Sequence, residues 1–276
     1  MQLFSLGSAP KPPDQRGRTQ FTERQAKTIL AKGAGMLSSY DFTLNPYTGC
    51  QFSCSYCYAA FFQADEQKRD SWGRWVDVKI NALDLLKRHR GAAGKRIFVG
   101  SVTDPYQPVE RELRLTRSLL QHLATLNPQP RIHIQTRSPI ICDDISVLRK
   151  FSHLTVGMSI TTDDELVRKA FEPACASIPQ RVEAAARLVQ AGISLAVCIS
   201  PMLPISDPAR FARQLRDIGA DRYWTGYFHE GQRDFASGTR PGAFALAKAH
   251  GWNFDEFQRT AVLMSEILPD LRGVKR

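Results

Sequence analysis

The sequence predicts an α/β protein built on a parallel sheet. Three observations lead there. Short apolar runs of strand length recur along the chain, amphipathic helical patterns separate them, and the alternation occupies most of the 276 residues. Strands alternating with helices make right-handed βαβ units, which set consecutive strands side by side and parallel. Six such units are fewer than the eight of a closed barrel, and an open doubly wound sheet fits the periodicity equally well.

Taken in order, residues 1–20 lack apolar periodicity and are expected to be a mobile tail. Residues 21–33 (FTERQAKTILAKG) read as a short helix that stops at Gly33. Strands are expected near 42–47, 96–100, 131–136, 154–160, 193–200 and 222–226. Helices are expected near 76–90, 110–126, 143–151, 164–171, 179–191 and 207–218. The helix at 179–191 is well punctuated, with Pro179 at its start and Gly192 just past its end. Residues 240–276 read as helical, most strongly over 252–268. No internal repeat or linker divides the chain, so 21–276 is expected to be one domain with its core at about 40–230.

A content of 43% hydrophobic and 23% charged residues is that of an ordinary globular protein. The first residues turn polar and Pro-rich at once, unlike a secretory signal. The longest apolar runs, such as 193–199, are strand-sized, so no membrane partner is expected. The chain therefore reads as cytoplasmic, where its six cysteines stay reduced. Its net charge of +10 is uneven: residues 1–33 carry six basic against two acidic side chains, and residues 68–96 nine against three. The second stretch admits nucleic acid as a partner, but a solvated helix face is an equally good reading.

The most informative segment is NPYTGCQFSCSYCYAAFF, residues 45–62, in which Cys50, Cys54 and Cys57 are spaced C-x3-C-x2-C. Thiolates suit iron, and close spacing lets one loop wrap a cluster. Three ligands rather than four leave one iron with an open coordination position. Tyr47, Phe52, Tyr56, Tyr58, Phe61 and Phe62 supply an apolar jacket around it. A structural zinc site wants a fourth ligand, and neither His89 nor His133 sits in a zinc-type pairing.

C-x3-C-x-Y-C resembles the signature of radical S-adenosylmethionine (SAM) enzymes, and the resemblance covers most of the chain. The stretches LNPYTGCQFSCSYCY, IFVGSVTDPYQPVE, IHIQTRSP, TVGMSITT, FEPACASIPQRVEAAARLVQAGI and AVCISPMLP are similar to the branch containing spore photoproduct lyase and DNA repair photolyase-like relatives. The resemblance implies a partial (β/α)6 TIM-type barrel with short N-terminal and C-terminal helical extensions. It implies a 4Fe-4S cluster on Cys50, Cys54 and Cys57, with S-adenosyl-L-methionine at the open iron. One electron, from a reducing partner such as flavodoxin or ferredoxin, then releases a 5′-deoxyadenosyl radical that abstracts hydrogen from an unidentified substrate. By the same resemblance Tyr56 stands beside the adenine, and Thr103 and Asp104 contact the methionyl part. Arg137, Ser159 and Arg181 contact carboxylate or ribose. Tyr58 matches a tyrosine of a hydrogen relay. Val102 occupies the position of the lyase cysteine that returns a hydrogen atom, so repair of the spore thymine dimer is not expected. Cys142, Cys175 and Cys198 read as buried small hydrophobes, with Cys198 the one placed to point into the barrel. The alternatives are radical repair of nucleic acid and, from another class, a zinc-bound nucleic-acid-binding module.

Overall fold

In a parallel sheet covered on one side by helices, alternate residues of each strand must be apolar and the others free to line a site. The computed structural model, which describes residues 15–16, 19–229 and 238–273, shows this alternation over Arg96–Val99, Arg131–Thr136 and Arg222–Thr225, whereas Leu154–Ser159 and Ser194–Ile199, inside the sheet, carry runs of buried residues. Its elements are β1 (Gln15–Arg16), β2 (Thr19–Arg24), β3 (Leu30–Lys32), β4 (Phe42–Leu44), β5 (Tyr47–Gly49), α1 (Glu66–Asp70), β6 (Trp75–Lys79) and α2 (Ala82–Arg88). There follow β7 (Arg96–Val99), α3 (Glu110–Leu113), α4 (Leu115–Leu123), β8 (Arg131–Thr136), α5 (Ile145–Leu148), β9 (Leu154–Ser159), α6 (Glu165–Phe171) and α7 (Ile178–Gln190). The chain continues through β10 (Ser194–Ile199), α8 (Pro208–Asp217), β11 (Arg222–Thr225), α9 (Pro241–Ala249) and α10 (Phe254–Ser265).

The main sheet has the order β11-β10-β9-β8-β7-β4-β3. β4, β7, β8, β9, β10 and β11 are mutually parallel and correspond to the expected strands, while β3 adds an antiparallel edge. In β8, Ile132, Ile134 and Thr136 are buried while His133 and Gln135 are half-buried between them. α7 begins with a capping box, in which Ser177 and Gln180 satisfy each other's backbone, and with proline in its first turn. No helix among the described residues is long and apolar enough to cross a membrane.

The N-terminal reading needs correction. Residues 21–33 are not a helix but β2 and β3, and Gln15, Arg16, Thr19 and Gln20 of the expected tail also lie in strands. The rest of that tail lies outside the described residues. Thr19 and Phe21 are buried at alternate positions, and Phe21 pairs in register with Val76. Sheet pairing supplied by a distant segment outweighs local helix propensity here. That segment is β6, at the front of what reads as a helix over 76–90; the helix itself is confined to Ala82–Arg88. Together these strands form a second sheet, β1-β2-β6-β5. The basic stretch is correspondingly divided. Lys68 pairs with Asp77 and Lys79 donates to the Asn45 carbonyl, whereas Lys87, Arg88, Arg90, Lys95 and Arg96 are exposed. The expected helix over 110–126 is split into α3 and α4 at Arg114, which takes a left-handed backbone (φ 48°).

β5 delivers the chain into the cysteine loop, and it is anchored by a buried pair. The Tyr47 hydroxyl donates to Glu110 on α3, and both side chains are buried. Burial raises the Glu110 carboxyl to about 7, against the lowering effect of the Tyr47 hydrogen bond. Because the folded value lies above the usual 4.5, the stability this group contributes is present below about pH 4.5 and is lost as pH rises through 7. The span corresponds to about 3 kcal/mol. Glu110→Gln should therefore flatten the pH dependence of unfolding free energy between pH 4.5 and 7, measured by urea denaturation. An unchanged slope would show that Glu110 titrates normally.

Candidate active site

The C-terminal ends of parallel strands leave backbone groups and loops facing one side, and sites form there. In this chain they surround a cavity of about 270 Å³. β7 ends in Ser101, Val102, Thr103 and Asp104; β8 in Arg137; β9 in Ser159; β10 in Cys198. All of these line the cavity. The cysteine loop closes it from the side of the second sheet, with Cys50, Cys54, Cys57, Tyr56 and Tyr58 on its wall.

The loop is shaped by backbone approaches that side chains would block. Gly49 has φ +83°, and a Cβ on it would lie 2.5 Å from the Trp75 carbonyl. Gly73 packs so closely that a Cβ would come within 2.2 Å of the Ser53 hydroxyl. The loop is tied to the β7–α3 segment as well. Thr103 Oγ1 donates to the Gly49 carbonyl (2.6 Å), the Gln51 amide donates to Gln107 (2.9 Å), and the Val109 amide donates to the Gln51 side chain (2.7 Å).

Cys50 and Cys54 are buried and Cys57 is half-buried. Burial pushes Cys57 up to about 11 and Cys50 well above the usual thiol value, while a hydrogen bond from Cys175 lowers Cys54. Cysteines bind iron as thiolates, and a cationic iron centre beside them would favour loss of the thiol proton. Among the described residues no three His, Cys, Asp or Glu side chains converge on one point where a single metal ion would bind. A cluster does not require that, since each thiolate binds a different iron. The donor set, three thiols of one loop on the cavity wall, fits a cluster. His89 packs edge-on against Phe42 and His133 stacks on Phe98 at 4.8 Å, so neither supplies a fourth ligand.

The polar residues expected to touch SAM divide into two groups. Thr103, Asp104, Arg137, Ser159 and Tyr56 reach the cavity wall. Arg181 does not. It is fully buried on α7, where Nη2 meets Glu172 Oε2 at 2.5 Å and Nε donates to the Ala176 carbonyl. Glu172 is a site residue that sequence reasoning did not single out. Its other oxygen accepts from Arg137 Nη1 (2.6 Å), Thr161 Oγ1 (2.9 Å) and the Tyr56 hydroxyl. Burial alone would raise its carboxyl, but the Arg181 and Arg137 guanidiniums and the Tyr56 hydroxyl bring it down to about 2.

Asp104 accepts from the Tyr106 amide, the Thr136 hydroxyl and the Arg137 amide, so it clamps the ends of β7 and β8 together. Ser159 accepts from Gln135 Nε2 (2.9 Å). The Tyr58 hydroxyl donates to the Ser101 carbonyl, and burial lifts it to about 12. Val102 is on the cavity wall, as is Cys198, whose thiol lies 3.5 Å from Gln135 Oε1. Trp224, Tyr227, Phe228 and His229 complete the wall from the end of β11. Sequence spacing carried no signal for these or for Gln135.

The sequence model of the radical SAM superfamily matches residues 44–216, more than half of the chain. The chain belongs to the radical SAM superfamily. Radical SAM membership makes it an enzyme and implies a 4Fe-4S cluster and SAM. It is 35% identical over 163 residues to uncharacterized protein MJ0683 of Methanocaldococcus jannaschii, a match covering 59% of this chain and 61% of that protein. It is 23% identical over 169 residues to the spore photoproduct lyase of Clostridium acetobutylicum, covering 59% of this chain and 47% of the lyase. In fold it is similar to a solved spore photoproduct lyase variant, with TM-score 0.64 and 14% identity over 91% of this chain and 80% of the other. It is similar also to spore photoproduct lyase complexed with dinucleoside spore photoproduct, with TM-score 0.62, 15% identity and the same coverage.

Two outcomes follow. After anaerobic reconstitution, Cys50→Ala, Cys54→Ala and Cys57→Ala should each lose the iron and the brown colour, whereas Cys142→Ala and Cys198→Ala should keep them. Loss of iron in Cys198→Ala alone would reassign the ligands. Glu172→Gln should lower unfolding free energy by about 3–5 kcal/mol, since it leaves buried guanidiniums without their counter-charge. A change below about 1 kcal/mol in denaturation would mean that water or another group compensates.

Proposed function

We propose that this radical SAM enzyme holds its cluster on Cys50, Cys54 and Cys57, binds SAM against Tyr56, Thr103, Asp104, Arg137 and Ser159, and acts on a substrate other than the spore thymine dimer. The carrying observation is that three cysteines of one loop and the polar ends of four strands face the same cavity. We read the sheet as a partial (β/α)6 barrel whose open C-terminal face is that cavity. A cluster held there would supply one electron to SAM, whose carbon–sulfur bond would break to leave methionine and a 5′-deoxyadenosyl radical able to take a hydrogen atom from the substrate. Electrons enter from a reducing partner of flavodoxin or ferredoxin type.

The chain's own residues bind and orient. Arg137 is held by Glu172 on one side and stands 5.7 Å over the Tyr56 ring, so its cationic plane is fixed at the wall where a carboxylate can be received. Tyr56, pinned through its hydroxyl, offers a rigid aromatic surface to the adenine. Arg181 acts at one remove, by holding Glu172 and thereby Arg137. The buried ring of Phe228 limits water on that side of the cavity, while Trp224 at its edge is exposed.

The names of the lyase relatives raise a second reading, radical repair of nucleic acid. Tyr58 favours it by lying on the cavity wall, and Val102 opposes it. A branched alkyl group at that point has no hydrogen atom to return as readily as a thiol does. Anaerobic protein with dithionite and SAM should form 5′-deoxyadenosine, and with synthetic dinucleoside spore photoproduct should release no thymine. Val102→Cys alone should not confer efficient repair. Multiple-turnover repair by the unmodified protein would overturn the substrate assignment, and absence of 5′-deoxyadenosine under all conditions would overturn the reaction.

A further inference from the structure

Cys175 lies outside the C-x3-C-x2-C motif, in the short connection between α6 and α7. Its Sγ is 3.7 Å from Cys54 Sγ, and its S–H also has the Phe52 carbonyl, 3.9 Å away, as an alternative and longer acceptor. Cys54 is 6% exposed and Cys175 7%, so both sulfurs are largely withdrawn from water. The contact is braced from both sides. The Cys175 amide donates to the Glu172 carbonyl (3.1 Å), and the buried Arg168 donates through Nη1 to the carbonyls of Glu172 and Cys175 (3.1 Å each). From the cysteine loop, the Ser55 amide donates to the Phe171 carbonyl (2.8 Å). Two loops distant in sequence are thus stitched together around a sulfur–sulfur contact.

In the free protein either thiol can be the donor. Ligation removes that freedom, because a cysteine binds iron as the thiolate and has no proton left to give. We infer that Cys175 donates an S–H hydrogen bond to the ligating sulfur of Cys54 and so positions and tunes the cluster without binding iron itself. This rests on the proposed ligand set. A donor to a ligand sulfur stabilises the added negative charge of the reduced state, so it raises the reduction potential. Removing the donor makes the cluster harder to reduce.

The test uses the full chain as wild type, Cys175→Ala and Cys175→Ser, each reconstituted anaerobically, with iron content measured and midpoint potential followed by electron paramagnetic resonance. The expected result is equal iron in all three, a shift to more negative potential in Cys175→Ala, and a smaller shift in Cys175→Ser, whose hydroxyl still donates. Full iron with an unshifted potential in Cys175→Ala overturns the inference, as does loss of iron in that variant with its fold retained. A second measurement does not need the cluster. Iron-free wild type treated with glutathione disulfide should yield a Cys54–Cys175 disulfide by peptide mapping. The two thiols give up two protons and two electrons, and the oxidant becomes two molecules of glutathione. Cys54 captured mainly by Cys50 or Cys57 overturns the contact. If the wild type binds no iron at all, the proposed function falls, and the disulfide mapping still decides the pairing.

Discussion

A single buried carboxylate organises the cavity. Glu172 ties Arg137 at the end of β8, Thr161 just past β9, Arg181 on α7 and Tyr56 in the cysteine loop to one point. Taking such a charge out of water is costly, and the cost is met because both oxygens are occupied by guanidinium and hydroxyl donors. The value of about 2 for its carboxyl states the same balance in another way. Each partner then inherits a fixed position from Glu172, so this part of the cavity wall is set before any ligand arrives.

The cysteine loop is held by a different principle, close contact of backbone with backbone. On its outer side lies the α1–β6 segment, where Trp72 and Trp75 meet edge-to-face at 5.8 Å and Gly73 presses on Ser53. Ser53 itself adopts a left-handed backbone (φ 54°). On the inner side is the cavity, and on the third side the α6–α7 connection carries Cys175. A loop confined from three directions can keep three thiols aimed at one space without regular secondary structure of its own.

Several polar residues that resemble cofactor contacts in sequence also serve the scaffold. Asp104 receives two amides and a hydroxyl, and Thr103 commits its proton to the Gly49 carbonyl. A residue can line the cavity while its hydrogen bonds are already spent on neighbouring loops. Arg181 is the limiting case: its whole function is internal.

By itself the sequence determined the alternation of strands and helices in the main sheet, the punctuation of α7 and the three-cysteine loop. Those features are local: apolar period, proline and glycine at helix ends, and ligand spacing within eight residues each leave a direct trace in the order of side chains. Tertiary structure alone decided the rest. β2 and β6 read as helix because they become strands by pairing with each other across more than fifty residues of chain, and with β1 and β5 on their outer sides. Glu172, Gln135 and Cys175 lie within family-like stretches, yet no spacing marked their roles, since what matters about them is which distant atom they face. Periodicity records which side of an element is buried; only the folded chain determines what it is buried against.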